Sequence, residues 1–258
     1  MRDFLDVLAN DARKRVKEGF YDDVEAAPAV RLSLEDSILS CRRAAIISEV
    51  KPASPSMGVL HGGRSPADLA REMEEGGAIG ISVLTEPKHF QGSMSTLAEV
   101  RRAVKRPILM KDIVLSPAQV DAAAKAGANA VLLIYSVFER GYSEVKLGDM
   151  IEHAHGRGVE VLLEVHTRDE FKSSLGYEAD MIGVNNRDLR TLKVDLNVTK
   201  KVLEGYSGSR VVVSESGISG PEDVRFLYAC GARAFLVGTS IMKATSVKDK
   251  VRRLVEAL

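Results

Sequence analysis

Hydrophobic positions along the chain fall into two alternating patterns. Eight short, nearly continuous apolar runs, at 44–50, 78–85, 107–111, 130–136, 160–165, 181–185, 210–216 and 234–238, are rich in Val, Ile and Leu and have the length of buried β-strands. Further stretches at 66–75, 95–104, 117–126, 142–155, 168–174, 197–204, 221–230 and 247–257 carry apolar residues at the spacing of an amphipathic helix. The punctuation agrees: Pro opens helical stretches at Ser65-Pro66, Ser116-Pro117 and Gly220-Pro221, and Gly closes them at Gly76, Gly127, Gly158 and Gly231. Eight strand-then-helix units with no break in composition predict parallel strands closed into a (β/α)8 TIM barrel, one domain over 1–258, in preference to a doubly wound open sheet. Ahead of the first strand, residues 1–21 alternate charge with apolar residues at helical spacing, without the continuous apolar region of a signal peptide. Ser33, with Asp36 at the capping-box position, opens a second short helix toward Cys41. Residues 1–43 are therefore expected to form a helical extension packed on the barrel.

The strand endings change the picture from fold to chemistry. In chain order they carry Glu49 and Lys51, Glu86, Lys111, Ser136, Glu164, Asn185, Ser216 and Thr239. A charge buried unpaired costs several kcal/mol, so its recurrence at strand ends needs a shared cause. Parallel strands whose C-terminal ends meet at one mouth supply that cause. Side chains alternate along a strand, so Glu49 and Lys51 share a face, as do Asn185 and Arg187. Taken alone, Glu49 with Lys51 reads equally well as a salt bridge sealing the barrel top, and Arg187 as a surface partner of Asp188 or Asp195. With Lys111 and Glu164 added, two ammonium groups and two carboxylates converge, more than sealing requires. Gly217 after strand seven and Gly238 before Thr239 let backbone approach an anion closely, at the strand ends where this fold often binds phosphate; either glycine alone fits a tight turn. Glu86 and Ser136 follow the pattern and are assigned no chemistry.

Composition narrows the partners. Lys plus Arg and Asp plus Glu number 36 each in 258 residues, so no net charge favours nucleic acid or an anionic membrane, and an anionic ligand must be caught locally. The longest apolar stretch, near 130–138, is too short to span a bilayer. Cys41 and Cys230 lack metal-type spacing and fit reduced thiols in a cytoplasmic protein. His153 and His155 lie on a polar helix with no third ligand in reach, and His89 and His166 lie near the mouth without a nucleophile partner, so no metal is expected. The glycines at 76–80 precede a strand and are no dinucleotide fingerprint.

The runs Ser48-Glu49-Val50-Lys51-Pro52-Ala53-Ser54-Pro55-Ser56, Ile108-Leu109-Met110-Lys111-Asp112, Leu163-Glu164-Val165-His166, Gly183-Val184-Asn185-Asn186-Arg187-Asp188-Leu189, Ser214-Glu215-Ser216-Gly217-Ile218 and Leu236-Val237-Gly238-Thr239 together resemble indole-3-glycerol phosphate synthase, from the first strand to the eighth. Leu84-Thr85-Glu86 followed by Phe90 resembles the second-strand region that helps wall that family's aromatic-ring pocket. The resemblance implies a lyase of tryptophan biosynthesis that closes 1-(o-carboxyphenylamino)-1-deoxyribulose 5-phosphate to indole-3-glycerol phosphate, losing carbon dioxide and water. It implies Lys111 as the acid at the ketone oxygen, Lys51 and Glu164 as the acid and base of dehydration, Glu49 as a positioning and charge-stabilising group, and Asn185 and Ser216 as orienting groups. The division of proton transfers between the two lysines stays open. Ser54 and Arg187 are implied at the substrate carboxylate and pocket rim, Leu84, Phe90, Leu132 and Leu189 at the pocket wall, and Gly217, Gly238 and Thr239 at the phosphate. Thr239 stands where Ser is common and Ile113 where Phe is common, and neither change removes a catalytic group. A phosphosugar isomerase would be expected to place an Asp or Cys pair where this chain has Lys and Glu, and a catalytically silent phosphate-binding barrel to lack Lys111 or Glu164. A monomer without cofactor is expected, with a phosphorylated small molecule as substrate and room for docking with other tryptophan-pathway enzymes.

Overall fold

The structure, a computed structural model, describes residues 3–28, 30–51, 53–54, 58–59 and 63–258, with backbone only at 53, 54, 58 and 59. Eight parallel strands close on themselves: β1 (Ala45–Val50), β2 (Gly80–Leu84), β3 (Ile108–Lys111), β4 (Ala130–Ile134), β5 (Glu160–Val165), β6 (Met181–Asn185), β7 (Val211–Glu215) and β8 (Ala234–Val237) pair in chain order, and β8 returns to β1. At that seam Ala45 lies opposite Ala234 and Ser48 opposite Val237. Both faces of each strand are covered, which is why the strands read as continuous apolar runs. Alternation sorts them into two layers. Ile46, Met110, Leu133 and Leu163 pack between strands and helices, whereas Ile47, Leu109, Leu132, Leu162, Val213 and Leu236 fill the barrel. The inward parity of 47, 109, 162 and 213 continues to Glu49, Lys111, Glu164 and Glu215, so the convergence of polar ends is a consequence of strand geometry.

Helices begin where local chemistry directs. The side chains of Ser65, Ser116, Thr167 and Ser246 cap their helices, and Pro66, Pro117 and Pro221 occupy first turns. Two boundaries differ from expectation. The run at 130–136 leaves the sheet at Ile134, and Tyr135–Glu139 turns helical so that the Ser136 hydroxyl donates to Glu170 Oε1 at 2.9 Å. The helix expected from 142 begins only at Leu147, because Glu144 N and Ser143 Oγ are drawn to the Leu115 carbonyl, at 2.8 and 3.0 Å. Outside the barrel, Ala53–Ser54 pairs antiparallel with Gly58–Val59, which the hydrophobic pattern does not predict. Pro52 lies outside the described residues.

The extension forms two helices. Phe4–Lys17, opened by an Asp3–Asp6 capping box, lays Leu5, Leu8, Ala9 and Ala12 on the barrel. Leu34–Leu39 starts at Ser33, whose hydroxyl accepts from Asp36 N at 2.8 Å, and seats Leu34 and Ile38 among the interior residues. Leu34 N also donates to Glu160 Oε2 at 2.7 Å, at the start of β5, so this second helix closes the N-terminal end of the barrel. Full burial of Leu34 contributes about 1.5–3 kcal/mol.

At the opposite end a buried polar knot ties the first helix down. Arg15 Nη1 donates to Glu86 Oε1 at 2.8 Å and Nη2 to Asp112 Oδ1 at 3.2 Å. Tyr21 OH and Thr85 Oγ1 donate to Asp112 Oδ2 at 3.0 and 2.7 Å. Glu86 also accepts from the backbone N–H groups of Lys88, His89 and Phe90, capping the helix Pro87–Phe90. The strand-end charge at Glu86 is thereby absorbed by structure, as is Ser136. His153 and His155 pair with Asp121 and Asp180 at 2.8 and 2.9 Å on the outside of the barrel.

Candidate active site

Glu49, Lys51, Lys111 and Glu215 form one contiguous charged cluster at the C-terminal ends of β1, β3 and β7. Lys51 Nζ lies 2.5 Å from Glu49 Oε1, and Lys111 Nζ lies 3.5 Å from Glu49 Oε2 and 3.1 Å from Glu215 Oε2. Glu49 and Glu215 are almost wholly buried, at 1% and 0% exposure. Burial alone would raise the Glu49 carboxyl, yet Lys51 and Lys111 bring it below the usual carboxylate value. Burial alone would lower Lys111, but Glu215, Glu49 and Glu164 hold its ammonium well above the ordinary lysine value. Glu215 itself is pushed up to about 7 by burial and by Glu164, against the pull of Lys111.

Two cavities meet at this cluster. The smaller, of about 100 Å³, is walled by Leu84, Phe90, Leu132 and Leu189 together with Leu8 of the first helix, and reaches Glu164 and Asn185. The larger, of about 430 Å³, is lined by Gly217, Gly238, Thr239, Ser240 and Lys243. Glu49, Lys51, Lys111, Arg187 and Ser216 line both. A site therefore exists with an apolar end, a glycine-lined end, and the charged side chains between them.

Local backbone explains how these residues are aimed. Ser216 follows β7 on the outward parity, but a left-handed φ of 67° re-aims it into the cavities, the sort of strained position that clusters at functional sites. Gly217 next to it has φ 87°, and a Cβ there would meet Val194 and Leu196. Gly238 has a different use: a Cβ there would strike the Glu49 side chain, so this glycine makes room for a charged group as well as lining the larger cavity. Gly183 makes the same room for Glu215. The Ser240 hydroxyl donates to the Ile218 carbonyl at 2.9 Å, tying the loop after β7 to the short helix Thr239–Met242 that follows β8.

Of the residues singled out in the sequence, Glu49, Lys51, Lys111, Glu164, Asn185, Ser216, Leu84, Phe90, Leu132, Arg187, Leu189, Gly217, Gly238 and Thr239 all line these cavities. The side chain of Ser54 lies outside the described residues. Arg187 takes neither Asp188 nor Asp195: its Nη1 donates to the Leu192 carbonyl at 2.9 Å, while Asp188 holds Arg190 at 3.0 Å. Glu215 and Lys243 were missed. Parity with Val211 and Val213 marked Glu215 as inward, whereas the polar Ser216 after it drew attention as the strand end. Asn186, beside Asn185, proves to be fully used within the fold: it donates to Ser214 Oγ and to the Glu215 and Ser216 carbonyls, and accepts from Thr199. Among the described residues no group of three or more His, Cys, Asp or Glu side chains is placed to hold a metal ion, and no helix is long and apolar enough to cross a membrane.

Fold and site together define a (β/α)8 barrel with an acid–base cleft at the C-terminal ends of its strands, the face on which barrels of this class carry their active sites. Comparison with known proteins is more specific. The sequence profile of indole-3-glycerol phosphate synthase matches residues 6–254, and the chain belongs to that family. The indole-3-glycerol phosphate synthase of Halobacterium salinarum is 46% identical over 215 residues, covering 83% of this chain and 82% of that protein. That of Methanopyrus kandleri is 42% identical over 257 residues, 98% of each. Among solved structures, a thiamine phosphate pyrophosphorylase from Pyrococcus furiosus superposes with a TM-score of 0.63 at 17% identity, over 87% of this chain and 97% of that one, a likeness of fold alone.

Proposed function

We infer that this protein converts 1-(o-carboxyphenylamino)-1-deoxyribulose 5-phosphate to indole-3-glycerol phosphate with release of carbon dioxide and water. The observation that carries the assignment of the site is the junction of two unlike cavities at one acid–base cluster. The substrate has the same polarity: an aromatic ring at one end, a phosphate at the other, and the reacting ketone between them. In this reading Leu84, Phe90, Leu132 and Leu189 take the ring, Ser54 and Arg187 the carboxylate and rim, and Gly217, Gly238 and Thr239 the phosphate.

The charges support the sequence of steps that the family resemblance implies. The ring carbon bearing the carboxylate attacks the ketone carbon, and the ketone oxygen takes a proton from Lys111, which its three carboxylate neighbours keep charged for that purpose. Glu215, pushed up to about 7 and 3.1 Å away, is suited to return that proton. Carbon dioxide leaves, its bonding electrons neutralising the cation left by the attack. Dehydration then removes the new hydroxyl as water with a proton from Lys51, while Glu164 accepts the proton from the carbon next to the anilino nitrogen. Glu49 offsets positive charge as it develops on that nitrogen, and Asn185 and Ser216 orient the substrate hydroxyls. The test is direct. Purified protein mixed with this substrate should develop indole fluorescence, and Lys111→Ala should lose about 10²–10⁴-fold in kcat with its circular dichroism unchanged. Folded wild-type protein that yields no indole product sinks the assignment. A monomer in the cytoplasm completes the proposal, with light scattering expected at the mass of one 28.0 kDa chain.

A further inference from the structure

His166 continues the inward parity of Leu162 and Glu164 past the end of β5, and its ring lies between two carboxylates. Nε2 is 3.3 Å from Glu164 Oε1, and Nδ1 is 3.8 Å from Glu170 Oε2. The side chain is 14% exposed, and Nε2 is buried at an angle to Glu164 that falls short of a hydrogen bond. Glu170, from the helix Arg168–Ser174, is fixed independently: Oε2 accepts the His166 backbone N–H at 2.6 Å and Oε1 accepts the Ser136 hydroxyl at 2.9 Å. A neutral imidazole has one N–H and would turn a lone pair toward one of these carboxylates, whereas the imidazolium presents an N–H to each. The charge balance agrees. Lys51 contacts Glu49, and Lys111 contacts Glu49 and Glu215, so among the described residues the basic side chain within 4 Å of Glu164 is His166. Burial would lower the His166 pKa, but Glu170, Glu164 and, from β7, Glu215 raise it above the ordinary histidine value. Arg140 and Arg187 line the same cavity of about 260 Å³; the first is held at 2.8 Å by both Asp3 and Asp6, and the second by the Leu192 carbonyl.

We propose that His166 is a positioning residue for Glu164: its imidazolium, anchored by Glu170 and through it by Ser136, holds the Glu164 carboxylate at the barrel axis and balances its charge. This rests on Glu164 being the base of dehydration. His166→Gln keeps an N–H donor and removes the charge. In that variant the Glu164 carboxylate loses the contact that holds it at the barrel axis, so turnover should suffer more than substrate binding. Accordingly kcat should fall about tenfold, with KM changed less than about twofold. A His166→Gln protein with wild-type circular dichroism and an unchanged kcat overturns the proposal. A second measurement needs no substrate. In ¹³C-labelled protein the His166 ring signal, identified by its absence from His166→Gln, should titrate above the free-histidine value and at lower pH in Glu164→Gln; an unchanged titration in Glu164→Gln overturns the pairing. Absence of turnover by wild type would refute the assigned reaction, and full turnover by Glu164→Gln the assigned base, each distinct from failure of the His166 titration.

Discussion

Single side chains in this barrel are held by charges rather than by shape alone. Gly238 shows how little space is left: a Cβ there has no place except the volume of Glu49, whose two oxygens serve Lys51 and Lys111. Gly238→Ala should therefore destabilise the fold by about 1–3 kcal/mol, as overpacking does. It should also lower kcat, because Glu49 must swing from its lysines; urea melts and the fluorescence assay measure the two effects separately. His166 yields a pH signature in stability as well. Its pKa is raised in the folded state, so its contribution is fully present below the unfolded value of about 6.5 and fades as pH rises through the folded value. Glu170 is lowered by His166, so its contribution is present above about 4.5 and lost as pH falls. The stability difference between wild type and His166→Gln should accordingly be largest between about pH 5 and 6.5 and shrink toward alkaline pH, as urea titrations at stepped pH would record. A difference that grows above pH 7 contradicts the imidazolium.

Elements in this protein are placed by what their ends carry. The first helix reaches the catalytic face through Leu8, which walls the smaller cavity, and through Arg15, 8% exposed between Glu86 and Asp112. Removing one partner of a buried charge pair strands the other, so Arg15→Met should cost about 3–5 kcal/mol, read as a lower urea midpoint. The knot was only partly legible beforehand. The helix pattern at 1–21 was plain, and Glu86 was visible as an unexplained charge. That its partner stands on a helix 71 positions earlier in the chain is settled by packing alone. The same holds for the start at Leu147, where tertiary bonds to the Leu115 carbonyl overrode a helical periodicity that began at 142.

At the scale of the whole molecule, the extension and the barrel share one interior. Leu5, Leu8, Leu34 and Ile38 belong to the same cluster as Ile47, Leu109, Leu162 and Leu236. From this continuous packing we propose that the two helices of the extension and the barrel unfold as one cooperative unit. Urea unfolding followed by tyrosine fluorescence and by circular dichroism should give coincident transitions; an earlier melt of the first helix would separate the extension as its own unit.

The chain by itself determined what repeats locally. Strand and helix periodicity, Ser-Pro and Gly punctuation, inward parity and the polar endings of the runs are short-range properties, and they were enough to lay out the barrel and bring Glu49, Lys51, Lys111, Glu164 and Asn185 to one mouth. Tertiary structure decided the pairings. Lys111 meets Glu215 across 104 residues of chain, Gly183 and Gly238 open the space their charged neighbours occupy, and a left-handed turn brings Ser216 back to the cavities. Contacts between distant residues depend on how the strands stagger around the barrel, and no short-range periodicity encodes that stagger. Hence the charged strand ends were visible in the sequence, as was the Glu49–Lys51 pair on one strand, whereas Glu215 as partner of Lys111 and Arg15 as partner of Glu86 were not.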